Sequence, residues 1–459
     1  MKKIKIGFLP FYIKLYDECG LPLRERLTAF YNSIADNFEK DGFDVIRTPI
    51  CCVKDEFKKA VDGYEKNGAD CIVTWHAAYS PSLEASEILA KTKLPIVVLD
   101  TTDTYDFSSP DDINFCHGIH GVMDMCNLMK QNGKKYAIAA GFYPGSDVVD
   151  RAEGFVRAAV AANSIKGSRT GSIGGSFEGM GDFLISDDAL KSRFGATAVY
   201  SSKKELDDLR ETVTEDEIAA EMKADLEHYN VTAPLDPKSH RRTVLDCLTV
   251  RKWIEKNKLD AFTVNFTKIG PECGMNIMPF MEACKEMAAG IGYAGEGDVL
   301  TATITGALIR GFKTASFVEI FCPDWKRDLL LLSHMGEYNE ALADGQSEMK
   351  EIPFVFGHAD DPVVSYACYK AGDAVFCNVF KDKDDYKLLV SPVEMVTKPV
   401  DKFAGSVRGW LRPPMPVADF LEAISTEGVT HHSSLVYGAT VEQLAYFGEM
   451  LDMDVIVVE

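Results

Sequence analysis

The chain is 459 residues long, 46% hydrophobic and 26% charged, an ordinary globular composition with material for two to four domains of about 100–200 residues each. Its formal net charge of −21 excludes a sequence-independent nucleic-acid binder, which needs clustered Lys and Arg, and disfavours anionic membranes. No stretch approaches the roughly 18–20 apolar residues of a membrane helix, so the charge reads as a soluble acidic surface.

At the N-terminus, MKKIKIGFLP places Lys before an apolar run. Lys5 and Lys14 interrupt that run, Asp17 and Glu18 follow it, and no small-residue cleavage site appears. This reads as a first β-strand and not as a signal sequence. A helix over Arg24–Asp41, a strand at FDVIRTP, a helix over Lys54–Asn67 and a strand at DCIVTW come next. They are followed by a helix over Ser82–Lys91, LPIVVLD, a helix over Gly121–Gln131, KYAIAAGF and a helix over Asp147–Ala162. The alternation predicts a mainly parallel, doubly wound sheet. A second α/β unit starts near TGSIGG, with strands at FGATAVYSS, DAFTVNF and AGIGYAGEGD and helices over Thr214–Tyr229, Arg241–Asn257 and Met278–Ala289.

The last third changes rhythm. TASFVEIFC, LLLLSHMGE, EIPFVFG, AVFCNVFKD and YKLLVSPVEMV are short strands with few helices between them, before a helix over Thr440–Leu451 and a last strand, DVIVV. That is the pattern of an antiparallel barrel or sandwich. The expected fold is therefore α/β: two doubly wound, Rossmann-like parallel-sheet domains over residues 1–168 and 169–312, then a mainly β barrel domain over 313–459. The twelve cysteines include no CxxC pair and sit mostly in apolar segments, which predicts reduced core thiols and a cytoplasmic protein.

The residues that could carry chemistry are spread out. Glu319 stands in the middle of the apolar run ASFVEIFC, where a carboxylate is costly to bury unless paired, although a solvent-facing sheet position would also explain it. His334 ends the run LLLLSHM, where a satisfied core histidine is the plainer reading. Glu296 lies between glycines in GYAGEGD, past a strand and before a helix, the place where open α/β sheets bind ligands. His431 and His432 follow in GVTHHSS; if extended, their side chains point to opposite faces and only one reaches a given ion. Two Glu and two His in such contexts suit a mixed oxygen and nitrogen site for a borderline divalent metal such as Mn²⁺. The glycine-rich TGSIGGSFEGMGDF lacks the ending of a phosphate-binding P-loop and reads as a tight turn beside the site.

AFTVNF, GYAGEGD, SFVEIF, LLLLSHMGE and STEGVTHHSS, with HGIHGVMDMCNLM upstream and DYKLLVSPVEMV downstream, resemble the L-arabinose and L-fucose isomerase family in order and spacing. The arabinose branch is closer, because the fucose enzymes carry Asp where this chain has Glu319. The resemblance implies a metal-dependent aldose–ketose isomerase, an intramolecular oxidoreductase, with Glu296, Glu319, His334 and His432 as metal ligands. One of the two Glu would move a proton between C1 and C2 of an open-chain sugar through an enediolate, while the metal bridges O1 and O2.

The same resemblance implies that Phe266 packs on the sugar, that Met335 lies at the site, and that His117 reaches a neighbouring subunit in a hexamer. Leu9 stands where the family has Gln, Phe321 where it has Tyr, and Phe177 in a segment that reads Asp-Asn-Met-Arg there. These changes alter the groups that read the sugar, so the substrate implied is another pentose, a 6-deoxyhexose or a modified hexose rather than L-arabinose. Two other classes fit the residues alone: a non-catalytic sugar-binding or sensor protein, and a different metal-dependent carbonyl enzyme such as an epimerase or aldolase.

Overall fold

The computed structural model describes residues 2–104, 108–397, 403 and 405–459. They form two compact units, residues 1–163 and 164–459.

In the first unit, β1 (Lys5–Phe11), β2 (Asp44–Arg47), β3 (Cys71–His76), β4 (Ile96–Thr102) and β5 (Tyr136–Phe142) form one sheet in the order β2-β1-β3-β4-β5. Every pairing in it is parallel. Helices Arg24–Lys40, Lys54–Lys66 and Ile119–Gln131 supply the crossovers. Strands buried on both faces read as continuous apolar runs because helices cover each side. Phe8 in β1 stacks on Tyr31 at 4.6 Å, and Leu9 beside it joins a core with Phe11, Phe57, Ile72 and Val98.

In the second unit, β6 (Arg169–Ile173), β7 (Thr197–Tyr200), β8 (Asn230–Val231), β9 (Ala261–Val264) and β10 (Gly292–Gly295) precede the barrel. The order β10-β9-β6-β7 makes a second parallel sheet. Then follow β11 (Ala315–Asp324), β12 (Leu329–Leu332), β13 (Glu348–Glu351), β14 (Val363–Tyr366), β15 (Gly372–Asp382), β16 (Asp385–Val396), β17 (Gly409–Arg412), β18 (His432–Tyr437) and β19 (Asp454–Val457). The order β15-β18-β11-β12-β17-β16 closes on itself through β15 and β16 into an antiparallel barrel, and β19 adds to β16 in parallel. Closure removes the free edges an open sheet of this kind would expose. The expected class, two parallel doubly wound sheets followed by an antiparallel barrel, is the observed one.

One expected strand is not. In EIPFVFG only Glu351 belongs to a strand; Pro353 cannot donate to a ladder, and Val355 and Phe356 are 75% and 62% exposed. The missing barrel strands come instead from β17 and β18, and helix Val417–Glu427 separates them. All twelve cysteines carry free thiols. Among the described residues no helix is long and apolar enough to cross a membrane.

Candidate active site

The site of the second unit is set by strand ends and by the barrel register. Glu319 in β11 lies directly opposite His432 in β18, so the antiparallel ladder itself holds a carboxylate beside an imidazole. β12 pairs with β11 on its other side, and past its end the Ser333 N–H donates to the Glu319 carbonyl at 3.2 Å. His334 follows, with Nε2 3.7 Å from Glu319 Oε2. β10 brings in Glu296, whose backbone φ is +62°, a left-handed conformation uncommon for a residue with a side chain.

The flanking glycines allow this. A Cβ at Gly295 would lie 2.6 Å from the His334 ring, and one at Gly297 would lie 2.1 Å from the Gly175 carbonyl oxygen. The glycine-rich segment packs here as backbone: Phe177 N–H donates to the Glu296 carbonyl at 2.9 Å, and Ser176 Oγ–H to the Gly297 carbonyl at 3.2 Å.

Each inner histidine is aimed by a second carboxylate. His334 Nδ1 bonds Glu337 Oε2 at 2.7 Å, and Glu337 is completed by Tyr293 O–H at 2.8 Å and Gly336 N–H at 3.0 Å. His432 Nδ1 bonds Asp298 Oδ2 at 3.0 Å, while Asp298 Oδ1 accepts the Thr301 N–H as N-cap of helix Val299–Phe312. Fixing Nδ1 leaves each Nε2 as the free atom, the arrangement by which outer carboxylates orient metal-binding imidazoles. Aromatic rings lock the same groups: Phe317 meets His334 and His432 edge-on at 5.0 Å, and Phe183 stacks on His432 at 5.1 Å.

His431 also turns toward this cluster. It precedes β18 and does not continue the strand; its backbone N–H and Nδ1 both reach Asp182 Oδ2, at 3.0 and 2.6 Å. The two adjacent rings therefore lie 4.2 Å apart instead of on opposite faces, and His431 Nε2 stands 3.6 Å from Glu296 Oε2, an ion-pair distance.

Burial and charge act unequally on these groups. Burial raises Glu319, and the neighbouring histidines only partly offset it. Against burial, the histidines hold the Glu296 carboxyl below its usual range. Burial pulls His431 down, but Glu296 and Asp182 more than offset that and push it up to about 9. Against burial, Glu337 raises His334 and is itself held low by it.

Glu296, His431 and His432, and Glu319, His334 and His432, each offer ligand atoms within 4.8 Å of one another. Glu296 Oε2 and His432 Nε2 are buried with no hydrogen-bond partner, which is costly in a finished core. Two such triads of carboxylate and imidazole, sharing His432, have the mixed oxygen and nitrogen chemistry that fits a borderline divalent cation.

The other expected residues are distributed as follows. Phe266 and Phe177 are half-buried and pack together at 5.2 Å beside Glu296. Met335 is half-buried next to His334, and Phe321 is 59% exposed where the β11–β12 register shifts. Leu9 is buried in the core of the first unit. His117, also in that unit, bonds His120 Nδ1 at 2.7 Å and Tyr16 O–H at 3.2 Å. Sequence reasoning missed Asp298, Glu337 and Asp182 as partners. The first two stand two and three residues after Glu296 and His334, a spacing that could have exposed them.

Family models match two consecutive stretches: the L-arabinose isomerase central domain over residues 188–314 and the L-arabinose isomerase C-terminal domain over 314–454. An L-arabinose isomerase of Halalkalibacterium halodurans is 24% identical over 419 residues, 84% of this chain and 80% of that protein. One of Nocardioides sp. is 22% identical over 439 residues, 90% of this chain and 86% of that one. One of Erwinia tasmaniensis reaches 31% over 237 residues, 48% of this chain and 46% of that one. A solved glucose-galactose binding protein from Geobacillus stearothermophilus covers 68% of this chain and 90% of its own at 12% identity, with a TM-score of 0.17, too slight a likeness to bear on the fold. Two adjoining domain models and relatives aligned along most of its length make this chain a member of the L-arabinose isomerase family and an aldose–ketose isomerase.

Proposed function

We propose that this isomerase is divalent-metal-dependent, with Glu296, Glu319, His334 and His432 holding Mn²⁺, and that it works on an open-chain sugar through an enediolate. The observation that carries this reading is the pair of buried atoms without a hydrogen-bond partner, Glu296 Oε2 and His432 Nε2, in a cluster of carboxylates and imidazoles whose Nδ1 atoms are already tied back. When bound, a divalent cation polarises the carbonyl and neutralises charge developing on the sugar oxygens.

The protein's own part is proton handling. One of Glu296 and Glu319 takes the C2 proton of the aldose and returns it at C1; the other assists proton exchange between O1 and O2. The C2–H bond breaks and a C1–H bond forms while the carbonyl moves from C1 to C2, so the step balances without an oxidant. Glu337 and Asp298 keep His334 and His432 oriented, and Phe317 and Phe183 pack against those rings.

Phe177, Phe266, Met335 and Phe321 give the site an apolar shell, which supports another pentose, a 6-deoxyhexose or a modified hexose as substrate; Leu9, buried in the core of the first unit, faces no solvent and contributes no surface to it. The reading also carries a homo-oligomer, a hexamer, in which His117 reaches a neighbouring copy. The test is ketose formation from a panel of L-arabinose, D-galactose, L-fucose and modified hexoses with Mn²⁺, repeated after chelation. Chelator-sensitive turnover lost in Glu296→Gln or Glu319→Gln is expected. Turnover indifferent to both would overturn it.

A further inference from the structure

The carboxylate that enters the cluster from β10 rides on a tight turn over residues 295–298. The Asp298 N–H donates to the Gly295 carbonyl at 3.0 Å, and both central residues have positive φ, +62° at Glu296 and +83° at Gly297. Gly, Asn and Asp accept that mirror-image kind of turn at little cost. A Glu at its first central position is strained, and it persists only where its surroundings hold it. The same four residues carry two carboxylates of the site, Glu296 in front and Asp298 behind His432.

One side chain grips this turn from the neighbouring strand. Thr263, fully buried in β9, pairs with Ala294 in the parallel register. Its Oγ–H donates to the Ala294 carbonyl at 2.7 Å, with the Gly295 carbonyl next at 3.2 Å, and the same oxygen accepts the Gly297 N–H at 3.0 Å. A hydroxyl both donates and accepts, so a single atom holds the chain before Glu296 and after it. Valine has nearly the same shape and can do neither, which leaves the buried Gly297 N–H without its acceptor. Burial of a hydroxyl in this sheet does not by itself give such reach. Thr170 in β6 is equally buried, and its Oγ meets Thr303 Oγ at 2.7 Å on helix Val299–Phe312.

We infer that Thr263 is a positioning residue for Glu296, its hydroxyl holding the left-handed turn in the conformation that aims the carboxylate into the cluster. Gly295 and Gly297 permit the turn, but without side chains they do not hold it. With the hydroxyl gone, the peptide after Glu296 is free to turn toward another acceptor and carry the carboxylate off line. A displacement of about 1 Å costs proton transfer far more than it costs sugar binding. This inference rests on the isomerase reading above and adds to it the group that keeps one of its two Glu in place.

The experiment compares wild type with Thr263→Val, Thr263→Ala, Thr263→Ser and, as a buried hydroxyl of the same sheet outside the turn, Thr170→Val. Each is measured for kcat and KM on the aldose that wild type converts, for Mn²⁺ affinity by titration, for the thermal midpoint, and for amide hydrogen exchange over residues 293–300. In Thr263→Val, kcat falls about 10- to 100-fold while KM changes less than about threefold. Its Mn²⁺ Kd rises about 10-fold and exchange at the turn speeds up. Thr263→Ala moves the same way and serves if Thr263→Val does not fold. Thr263→Ser, which keeps the hydroxyl, returns kcat, Mn²⁺ affinity and exchange close to wild type. Thr170→Val lowers the thermal midpoint as Thr263→Val does, yet keeps wild-type kcat and exchange at the turn. Wild-type kcat and Mn²⁺ affinity in Thr263→Val, or a Thr263→Ser enzyme as slow as Thr263→Val, overturns the inference. Wild-type protein that binds no Mn²⁺ and converts no aldose overturns the proposed function; unchanged exchange in Thr263→Val would then overturn the hold on the turn separately.

Discussion

On helices Glu215–His228, Pro237–Asn257 and Phe280–Ala289, buried charges close on one another. Arg251 holds Glu282 through Nε at 2.7 Å and Glu221 through Nη1 at 2.9 Å; Lys285 joins Glu221 to Asp225, and Asp225 accepts from His240 at 2.9 Å. At the strand ends of the same unit, the groups around Glu296 are as well enclosed, yet Glu296 Oε2 and His432 Nε2 find no hydrogen-bond partner. The helical cluster spends every charge on a neighbour; the strand-end cluster is tied from behind and left open in front. Burial of charge alone therefore does not mark function. What marks it is buried polar capacity that the fold orients and does not use.

The sharpest way to break this contrast is to remove charge from each side in turn. Glu296→Gln or Glu319→Gln lowers kcat/KM by at least about 10³-fold, while in Glu319→Gln the thermal midpoint without metal stays level or rises, because a carboxylate that burial disfavours is gone. A large fall in that midpoint would make the site a structural network after all. Next in size, Arg251→Met leaves Glu282 and Glu221 short of their main cation and costs about 3–5 kcal/mol, read as a drop of roughly 10 °C in calorimetry. Its Mn²⁺ titration matches wild type.

Smaller effects sharpen the comparison. Asp298→Asn, which can still cap its helix, and Glu337→Gln weaken Mn²⁺ binding about 10- to 100-fold in a metal titration, because the imidazoles lose their aim and basicity. Unaltered affinity in both would mean the histidines are not ligands. The smallest effect is a pH dependence. Burial and Glu282 push Glu286 up to about 8, so the stability tied to its protonated form is complete below its ordinary pKa of 4.5 and is lost as pH rises through about 8. Glu286→Gln then gains a few degrees over wild type at pH 9 and none near pH 4. Glu221, held down at about 2 chiefly by Arg251, works in the other direction, its contribution fading as pH falls from 4.5 toward 2.

Much of this was legible in the residues. The alternating runs of the first two thirds announce parallel sheets because period and composition are local properties, and the short strands after residue 313 announce a barrel for the same reason. Where a run was apolar but Pro-bearing, as in EIPFVFG, composition misled: its phenylalanines and valine are not all buried, and strand β17 takes a place in the barrel without a comparable apolar signal. Glu296, Glu319, His334 and His432 drew attention as polar residues in apolar or glycine-bound contexts. His431 was read through strand alternation, which fails because β18 begins one residue later.

By itself, then, the sequence determined the layers, the order of the elements and the residue types available at their ends, since each depends on neighbours a few positions away. Only the tertiary structure decided which ends meet. Asp298 finds His432 across 134 residues and Asp182 finds His431 across 249, through barrel closure and a β11–β18 register that no local pattern encodes. A slip of one residue in that register would turn Glu319 to the other face, so the site exists as a property of the closed barrel, not of any segment that contributes to it.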